Sequence, residues 1–570
     1  MKSPRLQFFL RRWLLALVVV STAAAANPPL PALETRGAAT QLIVDGKPYL
    51  ILGGEITNTA SSSLPYMDTV WPKLERLNLN TVLVAVAWAW VEPTEGKFDF
   101  ALVDNLLAGA RKHHQHVIFL WFGSWKNSVS SFAPAWVKAD QARFPRVQIA
   151  GGRSVEILSP LSEAVVAADT RAYVKFMEHL RTADPQRTTL MIQLQNEVGV
   201  LGDSRDRGAV AEAAFAGAVP AELLGYLAQH QATLSPALTP LRHAAGDRAA
   251  GTWTEVFGRG PTTDELFMAW FYARAMGRMA AAGKAAYPLP VFTNTWLIQP
   301  EDRTPGDYPS GGPQPFSLDV WKAGAPAIDL NCPDIYRPNF PDHAAAFHRP
   351  DNPLFVPESR GDAAGVANAF YAIGAHAALG YSPFGIDNAG RLLVLRPAPG
   401  TPEPTDLENL PLTRGYAVLR ELAPLILPHQ AAGTLGAAWL NPAAPAQDIS
   451  LGDYTLHCEL RRSSRDQSFQ TDLGYALVLT NGPDEFIVAG NDVQLTFTPR
   501  TPGAPVAGIA DAEAGTVTDG RWTPGRKLSG DDILLNYHLA AQAAINQSGS
   551  GLRFGPDGPT LQRVKLYRYR

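Results

Sequence analysis

Eight short apolar runs alternate with helical stretches, and a C-terminal stretch of alternating segments lies between turn residues; together they predict a (β/α)8 TIM barrel followed by an all-β sandwich domain. The runs lie at 49–55, 81–88, 117–122, 190–195, 290–294, 327–330, 354–357 and 378–384. Their near-continuous apolar character, as in Val82-Leu83-Val84-Ala85-Val86, is what a strand covered on both faces requires. One such run could equally be a buried helix segment, so the count of eight, more than any single run, points to a closed barrel. A chain of 570 residues is also long enough for two or three structural units.

In chain order, Lys2, Arg5, Arg11 and Arg12 precede the apolar run 13–20, and small residues follow at 23–26. This is the three-part layout of a cleaved secretory signal, and the run is too short to span a membrane. The sequence therefore predicts a signal peptide at 1–26, a periplasmic or secreted product, and no membrane anchor after cleavage. The barrel is expected at 27–428. Between its fourth and fifth strands lies an insertion at 198–289, with helices expected at 209–230 and 264–282. Thr262 and Glu265 have the spacing of a capping box at the start of the second helix. Leu266, Phe267, Trp270, Phe271 and Met279 fall on several faces of that helix and read as core. The pattern changes between Pro424 and Pro428. Segments such as 475–480, 493–498 and 561–570 then mark a sandwich at 429–570.

Composition narrows the partners. With 46% hydrophobic and 18% charged residues and a net charge of -4, the chain lacks the basic excess of a nucleic-acid binder. A neutral or polar small molecule is the expected partner. Two cysteines, Cys332 and Cys458, cannot make disulfides the main source of stability, and their spacing leaves open whether they pair. The oligomeric state is not written in the sequence.

Two expected strands end in a carboxyl group. Gln193-Leu194-Gln195-Asn196-Glu197 closes the fourth, and Leu354-Phe355-Val356-Pro357-Glu358 closes the seventh. In a barrel these ends share one face, so the two carboxyls can converge. Glycoside hydrolysis needs such a pair, one to protonate the leaving oxygen and one to face the anomeric carbon. Either Glu alone would more often be a surface or salt-bridged residue. Asn196 can donate its amide to the hydroxyl beside the anomeric carbon, and it could also be a plain turn residue. Tyr336, just past strand six, is placed to hydrogen-bond Glu358, with a buried core tyrosine as the alternative. Trp88, Trp121 and Trp125 cluster at strand ends and could stack on a sugar or pack the wall. Glu55, Asn58 and Asp387 also follow strand ends and are candidate hydroxyl binders.

Gln193-Leu194-Gln195-Asn196-Glu197-Val198-Gly199 resembles the acid/base motif of glycoside hydrolase family 35, the β-galactosidases of clan A, which place an Asn-Glu pair after strand four and the nucleophile after strand seven. The segment from Trp88 through Glu92-Pro93-Thr94-Glu95-Gly96 to Phe98-Asp99-Phe100 is similar to the strand-two segment of families 35 and 42. Pro357-Glu358-Ser359-Arg360-Gly361 stands at the nucleophile position. Trp121-Phe122-Gly123-Ser124-Trp125-Lys126-Asn127 departs from the Pro-Tyr and Ala-Glu-Trp sequence of animal and plant members and looks like a bacterial subgroup. The resemblance implies a retaining exo-β-galactosidase acting on galactose-containing oligosaccharides, with plant side chains such as those of xyloglucan as an implied substrate. It implies no cofactor and no metal. Neighbouring activities on β-glucosides, β-mannosides or arabinosides differ by one or two hydroxyl contacts, and a carbohydrate-binding protein without turnover would keep the same fold.

Other charged groups read as structural. Glu92 and Glu95 sit in a Glu-Pro-Thr-Glu-Gly loop suited to a rim or an internal salt bridge. His113, His114 and His116 lead into strand three on the stability face of a barrel and read as a solvated helix end.

Overall fold

The computed structural model describes residues 28–298, 303–392, 400, 402–462, 468–469, 471–533 and 551–570. The segment 1–26, expected to be a signal peptide, lies outside the described residues.

Eight parallel strands close a barrel: β1 (Ile51–Glu55), β2 (Thr81–Ala87), β3 (His116–Lys126), β4 (Thr189–Asn196), β5 (Val291–Trp296), β6 (Leu330–Ile335), β7 (Val356–Ser359) and β8 (Gly380–Pro383). Gly380 and Tyr381 of β8 pair with Ile51 and Leu52 of β1 and complete the ring. All seven residues of β2 are buried, as expected of a run covered by the barrel interior on one side and helices on the other.

The outer helices show why the sequence folds this way. Leu64–Arg76 starts at Ser63, whose side chain accepts from the backbone of Tyr66, and has a proline in its first turn, where no N–H is missed. It buries Met67, Val70, Trp71 and Leu74, an i, i+3, i+4, i+7 stripe. Ala101–Lys112 repeats the stripe with Val103, Leu106, Leu107 and Ala110.

Four expectations are corrected. Strand six runs over Leu330–Ile335 and meets the expected 327–330 at a single residue, because its sequence Leu-Asn-Cys-Pro-Asp-Ile carries polar groups that are nevertheless buried. The helix expected at 209–230 is two, Ala209–Ala216 and Ala221–Gln229, split around Gly217 and Pro220. The long insertion helix is Pro261–Ala286, with Gly260 as its N-cap. The capping box belongs instead to Thr252 and Glu255 of the short helix before it, while Glu265 is buried against Tyr308. The pattern change at Pro424 to Pro428 falls inside the helix Pro411–Ala432, which ends at Gly433 in the left-handed conformation (φ 66°) that glycine adopts at little cost.

The C-terminal strands form two sheets. One has six strands, in the order Leu435–Leu440, Gly474–Gly482, Glu485–Asn491, Thr560–Tyr569, Val506–Thr518 and Arg521–Lys527. The other has four: Ala446–Leu451, Tyr454–Leu460, Val493–Pro499 and Leu552–Arg553. Leu456, Leu495, Phe486 and Val488 belong to the apolar layer of the sandwich, while Tyr475, Leu477, Leu479 and Ile487 of the six-stranded sheet join the barrel's core. Trp439 donates its indole N–H to Asn368 of a barrel helix at 3.0 Å. Cys332 lies in the barrel and Cys458 in the sandwich, both buried and unpaired.

Candidate active site

The end of β4 is bent to present Glu197. Gln195 and Glu197 have φ of 59° and 45°, and Asn127 and Ser128 of the adjoining β3 loop have 50° and 68°. Left-handed backbone at non-glycine residues costs free energy and survives only where surrounding contacts enforce it. Here they do. The Gln195 side chain accepts from the backbone N–H of Gly123 (3.2 Å) and Trp125 (3.0 Å) and donates to Asp169 (2.8 Å). The backbone N–H groups of Asn127 and Ser128 donate to the carbonyls of Asn196 and Glu197, each at 3.0 Å.

Asn294, on β5, ties three strands together. Its Oδ1 accepts from the Glu197 backbone N–H (3.1 Å), and its Nδ2 donates to Asn196 Oδ1 (3.0 Å) and to Asp334 Oδ2 (2.7 Å). Gln193 Nε2 also donates to Asn196 Oδ1, at 3.0 Å. The Asn196 carbonyl end is thereby fixed, and its amide end points the other way, towards Asn127 (3.3 Å). On β7, Glu358 Oε1 accepts from Tyr336 Oη at 2.5 Å, and Oε2 has no hydrogen-bond partner.

One carboxylate oxygen from each of Glu197, Asp334 and Glu358 lies within 4.8 Å of the other two. Burial, then the charge of Glu358, pushes the Glu197 carboxyl up to about 7 against the opposing pull of Lys126. Burial and the same glutamate charges keep Asp334 well above the usual carboxylate range. Glu55 is fully buried with both oxygens unpartnered, and it too is raised, by burial first and Glu358 next. Among the described residues, the trio of Glu197, Asp334 and Glu358 is the one group of potential metal ligands that converges. It offers carboxylate oxygens alone, a donor set suited to a hard cation or to shared protons.

The structure brings Glu197, Glu358, Asn196, Tyr336 and Glu55 to one end of the barrel; Asp387, whose charge acts on Glu55, and Asn58 lie in the loops beside that end, and the three tryptophans are buried in its wall. Trp88, Trp121 and Trp125 are fully buried and are corrected to wall residues. Their indole N–H groups donate to Glu92, to Asp169 and to the Leu158 carbonyl, and their rings pack on Trp136, on Tyr173 and Phe176, and on Tyr272. Each ring is enclosed by neighbouring rings and its one donor is committed, unlike Glu55, whose oxygens lack partners. Asp387 accepts from the Thr57 N–H and hydroxyl (both 2.7 Å) and from Tyr66 Oη (2.8 Å), so it latches the loop after β1 to the loop after β8. Asn58, beside that latch, is half-buried with its Oδ1 unpartnered. Glu92 is buried in an ion pair with Arg171 (3.0 Å), and Glu95 pairs with Arg143 at the surface.

Sequence reading missed Asp334, Asn294 and Lys126. Polar residues within a strand of a parallel barrel, as in Thr293-Asn294-Thr295 and Asn331-Cys332-Pro333-Asp334, are the signal that could have found the first two, since apolar residues are expected there.

Residues 67–151, from the first barrel helix past β3, match a family model described as beta-galactosidase, and residues 412–540 match a domain of unknown function, DUF5597. A beta-galactosidase of Xanthomonas manihotis is 42% identical over 88 residues, which is 15% of this chain and 14% of that protein; the chain thus matches about a seventh of that relative's length. Similar solved structures include beta-galactosidases from Bacillus circulans sp. alkalophilus (15% identity, TM-score 0.43, covering 66% of this chain and 57% of that one) and from Marinomonas ef1 (13%, 0.41, 67% and 60%). A beta-1,4-D-mannanase from Cryptopygus antarcticus is similar at 12% identity and a TM-score of 0.38, over 69% of this chain and 95% of that one. Neither family match reaches Glu197 or Glu358.

Proposed function

We propose that the chain is a retaining β-glycosidase of clan A that releases terminal β-galactose, with Glu358 as nucleophile and Glu197 as acid/base. The observation that carries the reading is the approach of one oxygen of each carboxyl to within 4.8 Å of the other, which supports the close spacing of a retaining pair over the roughly 6.5 Å or more between carboxyls that an inverting pair needs to admit water. The two environments also differ. Glu197, raised to about 7, holds a proton to give, while Glu358 accepts a short hydrogen bond from Tyr336 on Oε1 and has no partner on Oε2.

In this reading Glu358 Oε2, the unpartnered oxygen, attacks the anomeric carbon as Glu197 protonates the departing oxygen. Glu197, now a carboxylate, then takes a proton from water, whose oxygen displaces Glu358 and restores the starting anomeric configuration. Asn196, with its carbonyl end tied by Gln193 and Asn294, presents its amide to the neighbouring sugar hydroxyl. Glu55, with both oxygens unpartnered, is a second hydroxyl acceptor.

The beta-galactosidase match over 67–151 supports galactose as the sugar, and the motifs around Glu197 and Glu358 support family 35. Export to the periplasm or medium, signalled by residues 1–26, and xyloglucan side chains as substrate belong to the same proposal. A panel of aryl β-glycosides tests it. We expect the β-galactoside to be cleaved fastest, with a β-configured first product by NMR. Preferred cleavage of a glucoside, mannoside or arabinoside would overturn the sugar, and an α-configured first product would overturn the mechanism.

A further inference from the structure

Three carboxyls meet where the reaction needs two, and the third has no assigned work. Asp334 ends β6 and is 3% exposed. Its Oδ2 accepts from Asn294 at 2.7 Å, and its Oδ1 has no partner that donates to it. Its carboxyl has an oxygen within 4.8 Å of one from Glu197 of β4 and one from Glu358 of β7, and the charge of Glu55 from β1 also acts on it. Tyr336, two residues on, faces Glu358, and Lys126 of β3 acts on Glu55 and Glu197. Four buried acids near one lysine cannot all be ionised at modest cost. An Oδ1 that carries a proton stops being an orphaned acceptor and becomes a donor, and Glu197, one of whose oxygens lies within 4.8 Å of an Asp334 oxygen, is the acid/base candidate beside it.

We propose that Asp334 is a positioning residue for Glu197: a buried carboxylic acid that keeps its proton through the reaction cycle and donates it in a hydrogen bond to Glu197. The inference rests on the glycosidase reading for the role of Glu197, and adds the group that manages its charge. When Glu197 has passed its proton to the leaving oxygen, it becomes a carboxylate beside Glu358, which by then is bonded to the sugar. A hydrogen bond from Asp334 stabilises that carboxylate while water approaches, and charge-assisted bonds of this kind are the strong ones. No proton leaves Asp334, so the overall balance of the reaction is unchanged. Asn294 makes the arrangement coherent, since the same side chain fixes the Asp334 Oδ2, the Asn196 carbonyl end and the Glu197 backbone. Burial and the surrounding carboxylates favour the protonated form of Asp334, in keeping with this geometry.

The test compares Asp334→Asn with Asp334→Leu in the full chain. The Asn variant keeps an acceptor for Asn294 and a donor for Glu197 and changes no charge if Asp334 is already neutral. Its kcat/KM should stay within about threefold of wild type, with the alkaline limb of the pH profile unmoved. The Leu variant loses the donor. The alkaline limb should move up, and kcat on an activated aryl galactoside should fall by roughly ten- to a hundredfold, the worth of one hydrogen bond to a charged group, while kcat/KM falls less. If Asp334 were ionised, the Asn variant would remove a negative charge beside Glu197 and its alkaline limb would move down, overturning the proposal. Equal losses in both variants with unmoved limbs would reduce Asp334 to a structural residue. A second readout needs neither turnover nor the Leu variant. The infrared carbonyl band of a buried carboxylic acid should appear at pH 8 in the wild-type minus Asp334→Asn difference spectrum, and its absence would show an ionised Asp334. A wild-type enzyme that cleaves no β-glycoside would overturn the glycosidase reading, and the infrared result would still decide the state of Asp334.

Discussion

Asp184 and Asp334 are both buried aspartates of the same barrel, and they end in opposite states. Asp184, near the start of β4, accepts from the backbone N–H of Thr188 (2.9 Å) and Thr189 (2.7 Å) and from Arg111 (2.6 Å). Burial works against its charge, but these donors outweigh burial and hold its carboxyl below the usual range. Asp334, at the far end of β6, has one donor and faces three acids, and its carboxyl is held high. Burial alone therefore does not make a reactive carboxyl; the supply of donors decides. Asp184 itself is saturated with donors and structural. The end of the barrel that carries Asp334 leaves Glu55, Asp334 and Glu358 each with an oxygen unpartnered, the condition under which a substrate's hydroxyls become the missing donors.

The sharpest way to break this contrast is to empty the place of the proposed nucleophile. Glu358→Gly should lower turnover of every glycoside by more than about ten-thousandfold, because no covalent intermediate can form. Azide or formate should restore part of it, with an inverted product detected by NMR. Rescue with retained configuration would show that another residue is the nucleophile.

Glu197→Ala should cost less and more selectively. Proton donation contributes about a hundred- to ten-thousandfold, and most of that is lost only when the leaving group is a sugar hydroxyl. An activated aryl galactoside should still form the intermediate, which then accumulates as a burst, and azide should capture it with retained configuration. In the wild type the acid form is required, so kcat/KM should fall as pH rises through about 7, and this limb should vanish in the variant. A limb that persists would assign the proton to a different group.

Much of this contrast is visible in the sequence, and the rest is hidden for physical reasons. Glu197 and Glu358 stand out because a carboxyl ending an apolar strand is out of place in a purely structural turn. The barrel is legible from continuous apolar runs, such as the one at β2, because strands buried on both faces admit little else. Strand six fails this rule, since buried polar residues, Asn331 and Asp334, replace the apolar signal that would announce it. The tryptophans misled for the converse reason: Trp88 and Trp125 near strand ends look the same in sequence whether the ring faces a sugar or a neighbouring ring. Whether Gly217 and Pro220 break a helix, and whether Pro424 and Pro428 are tolerated in one, was settled by packing.

Asp184→Ala probes the saturated carboxyl. Removing the acceptor leaves two buried N–H groups without a partner and takes from Arg111 its carboxylate, leaving it Thr188 and the Ala183 carbonyl, and should cost about 3 kcal/mol of stability in denaturant unfolding. The pH profile of kcat/KM should not move. Because the folded-state carboxyl is depressed, its contribution is present above the unfolded value and lost as pH falls through the folded one. The variant and the wild type should therefore converge in stability in acid. A shifted activity profile would mean that the two ends of the barrel are electrostatically coupled.

The smallest effect tests whether a raised carboxyl must belong to the active site. Glu265, in the insertion helix, is fully buried and pushed up to about 8 by burial, with Tyr308 Oη (2.7 Å) its nearest donor, and it is not among the acids grouped at the strand ends. It resembles Asp334 in charge state and differs in having no partner acid. A carboxyl raised in the folded state holds a proton that the unfolded chain releases above about 4.5. Its contribution is thus fully present below that value, declines as pH rises, and is exhausted above about 8. Between pH 5 and pH 7 this should remove about 2 kcal/mol from the wild type, a linkage that Glu265→Gln, having no proton to lose, does not feel. The variant should therefore show a flatter stability curve and an advantage that grows towards pH 8, with kcat/KM unchanged throughout. If the curves run parallel, Glu265 is ionised in the folded protein and the saturation argument fails in the insertion. If activity shifts with it, the insertion helix reports to the catalytic end.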